Sequence, residues 1–181
     1  MPSKTRADFL MDLALVTFLV AFDVTARLLP HAPGVLPVAA SGLFAARVLR
    51  VPALALIVPL AAMAISGVGM AADHWQVTLV VYGGIAVPAL AGIYSRRWRG
   101  ALAVVATMLS CSLFFFASSN LAVWAFSGMY PLDWQGLTQC YVLALPFLQK
   151  TVMGDLFWTA VLFGGAWLVQ HGPTLAKRPL L

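Results

Sequence analysis

Glutamate is missing altogether from this 181-residue chain, whose acidic residues are limited to Asp8, Asp12, Asp23, Asp73, Asp133 and Asp155. Charged residues of either sign make up 9% of the sequence, and hydrophobic residues 62%. A soluble domain of this size buries about 70% of the surface its unfolded chain exposes, too little to hide apolar side chains in that proportion. The solvent must be lipid, and the mean hydropathy of +0.92 agrees. Chemistry-bearing groups are just as scarce. His31, His74 and His171 stand alone, without HxxxH, HExxH or an Asp-rich motif, which leaves a zinc protease, a di-metal enzyme or a lipid phosphotransferase without a basis. Cys111 and Cys140 have neither a CxxC spacing nor a histidine partner, and read as two small buried residues. With no nucleophile beside a base, the chain is not expected to be an enzyme, no catalytic residue is assigned, and no pattern names a cofactor.

What is present is a succession of six apolar segments, at about residues 9–29, 38–49, 51–70, 76–94, 101–126 and 151–169. Each is read as a helix, giving an all-α fold: an integral membrane six-helix bundle in one domain. The first segment superficially resembles a signal peptide but lacks a convincing cleavage site, so it is read as a retained helix. On it, Asp23 and Arg27 lie one turn apart, where they screen each other. Ala14, Thr17, Ala21 and Thr25 form a stripe of small residues that serves either packing within the chain or docking of a partner. Pro30 to Pro37 holds three prolines and a glycine, hence a turn at the membrane surface. The second segment, Val38–Leu49, is short for a span and ends at Arg47 and Arg50. In the third, Pro52 fits the first turn and Pro59 is expected to introduce a kink. In the fourth, Gly83, Gly84, Pro88 and Gly92 offer close packing or a bend before Arg96, Arg97 and Arg99 close it.

Between the fifth and sixth segments lies Gly136–Leu148, an apolar run of 13 residues interrupted by Pro146. It is too short to span comfortably and reads as a short lateral or re-entrant helix. The sixth helix then begins near Thr151 and stops before His171, Gly172 and Pro173. Six spans with the N-terminus inside place Lys4, Arg6, Arg47, Arg50, Arg96, Arg97, Arg99, Lys177 and Arg178 on the cytoplasmic face, nine of the 11 Lys and Arg residues. The net charge of +5 therefore belongs to the membrane surface, and nucleic acid is not an expected partner. No internal repeat is evident, which disfavours an inverted-repeat transporter.

The residues support a binding role more readily than a catalytic one. The outer connections gather His31, Asp73, His74, Trp75, Asn120, Trp124, Tyr130, Asp133, Trp134, Lys150 and Asp155, an inventory of aromatic walls with a few polar groups that suits a small-molecule pocket. The candidate ligand-binding residues are Asn120, Trp124, Tyr130, Trp134, Asp155, Lys150, His31 and His74. Trp75, Tyr130 and Trp134 serve equally well as interface anchors. Asn120 precedes Trp124 by four residues and so shares its helix face; its amide must meet protein, water or ligand. Asp155, in the first turn of the expected sixth helix, either compensates the helix dipole and pairs with Lys150 or touches ligand. His74 either lies at the interface or offers an imidazole to a metal-containing cofactor.

The stretches RLLPHAPGVLPVAASGLF (Arg27–Phe44), SNLAVWAFSGMYP (Ser119–Pro131) and YPLDWQGLTQCYVLALPFLQKTVMGDLFWTAVLFG (Tyr130–Gly164) resemble an uncharacterised family of small bacterial membrane proteins. That family is similar, in size, helix number and layout, to the substrate-binding S components of energy-coupling-factor vitamin transporters. The resemblance implies an inner-membrane protein with both termini cytoplasmic. It also implies a vitamin or cofactor-like ligand taken up from a pocket capped by outer loops, and a membrane coupling protein with ATPases as partner. The alanine-x-x-x-alanine pattern common on the first helix of S components is reduced here to the looser Ala14, Thr17, Ala21, Thr25 stripe. The alternative reading is a non-catalytic accessory or scaffold subunit of a larger membrane assembly.

Overall fold

The computed structural model describes residues 2–30, 34–68, 74–98 and 100–175, with side chains from residue 6 to 171 of these. His31, Asp73, Arg99, Lys177 and Arg178 lie outside the described residues. The described chain is all-α. Its helices are α1 (Pro2–Leu28), α2 (Val38–Val48), α3 (Ile57–Ser66), α4 (Trp75–Tyr94), α5 (Ala101–Phe126) and α6 (Trp134–Leu175). Four stretches, Arg6–Leu28, Trp75–Arg97, Ala101–Phe126 and Trp134–His171, are long and apolar enough to cross a membrane.

One of the two shortest helices is the middle of the bundle. The 11 residues of α2 rise only about 16 Å, and eight of them, Val38, Ala40, Ser41, Gly42, Leu43, Phe44, Ala45 and Ala46, are buried. Small residues make this possible. A Cβ added at Gly92 of α4 would stand 2.6 Å from the Ala46 Cβ, so α4 reaches α2 only because Gly92 has no side chain. Phe44 meets Phe163 of α6 edge to face at 5.2 Å, and Val16 and Leu19 of α1 close the other side of the same core. On α1 the faces divide sharply. Leu19 and Asp23 are buried, whereas Ala14, Thr17, Ala21 and Thr25 are all exposed, so no helix among the described residues covers the small-residue stripe.

One end of the bundle is tied by arginines. A helix leaves its last carbonyls without partners, and at the end of α2 Arg96 donates to Ala46 O at 2.6 Å and to Leu49 O. Arg47 returns the tie, donating to Trp98 O at 3.0 Å and Ser95 Oγ at 2.8 Å. The Asp12 carboxylate of α1 accepts the Arg50 and Val51 N–H groups, and Asp8 pairs with Arg50. The ends of α2 and α4 and the start of α1 are thereby fixed at one level.

Two segment boundaries differ from expectation. The third segment opens as a 3₁₀ turn, Pro52–Leu56, before α3 begins at Ile57. Pro59 then falls in the first turn of α3, where a missing N–H is least costly. The larger correction concerns the separate lateral helix over Gly136–Leu148 and the sixth helix beginning at Thr151: they are one continuous helix of 42 residues, running through Pro146 and past His171 to Leu175. Gln149 and Lys150 are good helix formers and carry the helix across the expected break. Proline is accommodated because an apolar surrounding penalises any opened backbone more heavily than the single bond it removes.

Replacing Gly92 by valine is expected to lower the thermal midpoint in detergent, at a cost of roughly 1–3 kcal/mol for the overpacked α2/α4 contact. Gly83→Ala on the same helix meets nothing within 4 Å and should leave the midpoint unchanged. Thermal unfolding of both variants checks the pair.

Candidate functional site

The short length of α2 leaves space beyond its N-terminus, and a cavity of about 220 Å³ occupies it. Every helix contributes. Val38 and Ala39 come from the start of α2, Met63 from α3, Gly84 and Pro88 from α4, Met108, Cys111, Ser112 and Phe115 from α5, and Thr151 and Asp155 from α6. The α5 residues recur at the helical spacing of one face. Gly84 makes room for the Phe115 ring, whose Cδ2 would stand 2.8 Å from an added Cβ. The remaining walls are Arg27 and the Gly34–Leu36 part of the first connection. That connection rests directly on α6: a Cβ on Gly154 would lie 2.8 Å from both Gly34 O and the Val35 Cα.

Two charged groups face this apolar space. Asp155 is 5% exposed, and its Oδ2 accepts a hydrogen bond from Ser112 Oγ at 2.6 Å. Arg27 donates from Nε to Ser66 Oγ at 2.6 Å, and Ser66 in turn donates to Ala62 O. The first N–H groups of α2 have no partner within their own helix and present the positive end of its dipole at the same place. A cation, a helix N-terminus and a carboxylate thus share one largely apolar recess. Chemically, such a set of groups can meet both a donor and an acceptor of a compact amphipathic molecule.

A second buried carboxylate repeats the chemistry without the access. Asp23 Oδ1 accepts from Ser41 Oγ at 2.8 Å, and both residues are wholly buried. Asp23 and Arg27 are therefore each held by a serine of another helix.

The candidate residues divide among several places. Asp155 lines the cavity, but it lies well inside α6 and not in a first turn, so neither dipole compensation nor the expected pairing with Lys150 describes it; Lys150 is exposed. Asn120 donates its amide to Phe116 O at 2.7 Å and lines a separate cavity of about 180 Å³, which shares Phe115 and Thr151 with the first. Trp124 donates its indole N–H to Pro131 O at 2.9 Å and fastens the link between α5 and α6. Tyr130 lies in that link, and Trp134, at the start of α6, is 80% exposed. His74 is the exposed residue before α4, and His31 lies outside the described residues. Among the described residues no group of three His, Cys, Asp or Glu could hold a metal ion. Both cysteines are buried and free. Sequence reasoning does not single out Ser112, Arg27 or Gly154 as site residues. The helical spacing of Met108, Cys111, Ser112 and Phe115 marks a face, but nothing local says that Asp155, 43 residues on, meets it.

The family described as a family of unknown function (DUF6580) matches residues 7–176. No curated protein and no solved structure matches the chain.

If the seat of the first connection on α6 closes the cavity, Gly154→Ala should push the Gly34–Leu36 backbone outward and admit a small thiol reagent to Cys111. The wild-type cysteine should react slowly under the same conditions. Equal labelling rates in the two proteins would show that the connection is no barrier.

Proposed function

We propose that this chain, which belongs to the family of unknown function DUF6580, binds a small vitamin-like or cofactor-like molecule within the membrane, for uptake, in the manner of an energy-coupling-factor S component. The observation that carries the reading is the cavity that brings Arg27 and Asp155 together in largely apolar walls. Ionisable side chains inside a bilayer are costly and mark ligand or ion sites by default. A volume of about 220 Å³ is worth roughly seven waters of liquid, which suits a single-ring compound and not a tetrapyrrole. The ligand carries an acidic or acceptor group toward Arg27 and the α2 N-terminus, and a donor toward Asp155. No chemical conversion is assigned to the site.

The orientation follows from charge. Arg47, Arg50, Arg96 and the start of α1 share one end of the bundle, which supports placing that end and both termini at the cytoplasmic face of a bacterial inner membrane. An α6 that crosses once, as one continuous helix, is consistent with that parity. The cavity then lies toward the outer side, under the first connection.

A second reading, a non-catalytic accessory subunit of a larger membrane assembly, is favoured by the uncovered stripe of Ala14, Thr17, Ala21 and Thr25 on α1. Purified protein distinguishes the two. Under the binding reading, a panel of single-ring compounds bearing both an acid and an amine or amide includes one that raises the thermal midpoint. Stabilisation reaches about 2.7 kcal/mol at a hundredfold excess over Kd. Asp155→Asn and Arg27→Gln each abolish that shift. A stoichiometric protein partner, with no co-purified small molecule and no shift from any compound, establishes the accessory reading instead.

A further inference from the structure

The opposite end of the bundle carries a second, larger recess that the cavity under the first connection does not explain. A groove of about 1110 Å³ runs between the first half of α5 and the second half of α6. Its walls are apolar, with Val105 on one side and Phe163 on the other, and Gly164 leaves its floor open. Its mouth is formed by Arg47 and Arg96, next to Trp98. Among the described residues Arg47 and Arg96 donate only to carbonyls and to the Ser95 hydroxyl and have no acidic partner, whereas Arg50, which also lines the groove, pairs with Asp8. Arg47 Nε is buried without a protein partner. Deeper in the wall, Thr159 is 4% exposed and its hydroxyl also has no protein partner. Leu102 and Leu168, close in sequence to groove residues on α5 and α6, are exposed, so apolar surface flanks the opening.

We infer that this groove binds an anionic phospholipid of the inner leaflet, its phosphate held at Arg47 and Arg96 and an acyl chain lying between Val105 and Phe163. Charge complementarity selects the occupant. A cationic mouth over apolar walls matches a molecule with a negative head and a hydrocarbon tail, and guanidinium groups suit phosphate geometry. Because a bilayer is as apolar as the groove, the acyl chain gains little from entering it, so preference among lipids follows the headgroup charge. The inference rests on the membrane placement proposed above, though not on the ligand of the first cavity.

The test uses the full chain, purified in a neutral detergent and stripped of lipid. Native mass spectrometry after equimolar addition of phosphatidylglycerol and phosphatidylcholine should show at least tenfold preference for the anionic lipid. Inorganic phosphate alone should neither bind nor displace it. An added Cβ at Gly164 meets nothing within 4 Å, so a side chain has room to start into the groove and Gly164→Trp is chosen to fill it. That variant should keep its lipid-free thermal midpoint and lose the preference. Val105→Phe blocks the groove from the α5 side and should do the same, while Arg96→Gln should reduce the preference about tenfold. Equal retention of the two lipids, persistence of the preference in Gly164→Trp, or a protein subunit held in the groove in place of lipid would each overturn the inference. Recovery of the chain from cells without detergent would instead refute the membrane placement itself, so the two failures are distinguishable.

Discussion

Burial of α2 on nearly every side is the constraint from which the other features of the bundle follow. A helix enclosed in this way cannot hand its unpaired end groups to water, so the chain must answer them itself. At the C-terminal end it does so with Arg96, whose guanidinium takes two of the α2 terminal carbonyls, and with Arg47, which ties the same turn to Ser95 and Trp98. At the N-terminal end no comparable side chain caps the helix; Pro37 is the capping residue and makes no side-chain bond. The asymmetry is functional in form. One end of α2 is closed by protein, and the other is left facing a cavity. The same close packing explains the glycine at position 92, since a side chain there would drive α4 away from α2.

How much of this was legible in the chain depends on whether a boundary is marked by residues that act locally. The fourth and fifth helices were readable almost to the residue, Gln76–Tyr94 against Trp75–Tyr94 and Ala101–Phe126 unchanged, because arginines and Gly100 punctuate them. Gly100 has a φ of +106°, a conformation that a side chain would oppose. The 3₁₀ opening of the third segment was invisible, since Pro52–Leu56 is as apolar as the α3 helix it precedes. At Gln149–Lys150–Thr151, polarity imitates a boundary: these residues have no objection to helix, and only their hydropathy differs from what surrounds them. Of the polar groups at the cavity only Asp155 was in the sequence inventory; its convergence with Arg27 and Ser112 is set by the packing of α1, α5 and α6 around α2, which no local pattern encodes. Conversely, the helical spacing that puts Asn120 and Trp124 on one face is real but brings them to different partners, a helix carbonyl and the α5/α6 link.

The two aspartate–serine pairs show why position, and not chemistry, assigns function here. Asp23 with Ser41 and Asp155 with Ser112 are the same interaction, a carboxylate accepting one hydroxyl at 2.8 Å and 2.6 Å between neighbouring helices. A carboxylate can accept about four hydrogen bonds, so one serine leaves each under-satisfied. For Asp23 the deficit is fixed: Oδ2 is buried without a partner, and nothing beyond the protein can reach it. Its service is to lock α1 against α2, at the price of one orphaned oxygen. Asp155 opens onto the cavity instead, with Arg27 on another of its walls. Its remaining lone pairs can be satisfied by a molecule that enters, and a group whose satisfaction depends on an occupant adds to that occupant's affinity. Under the proposed binding role, the same residue type is structural where the bundle is full and receptive where the short α2 leaves a cavity.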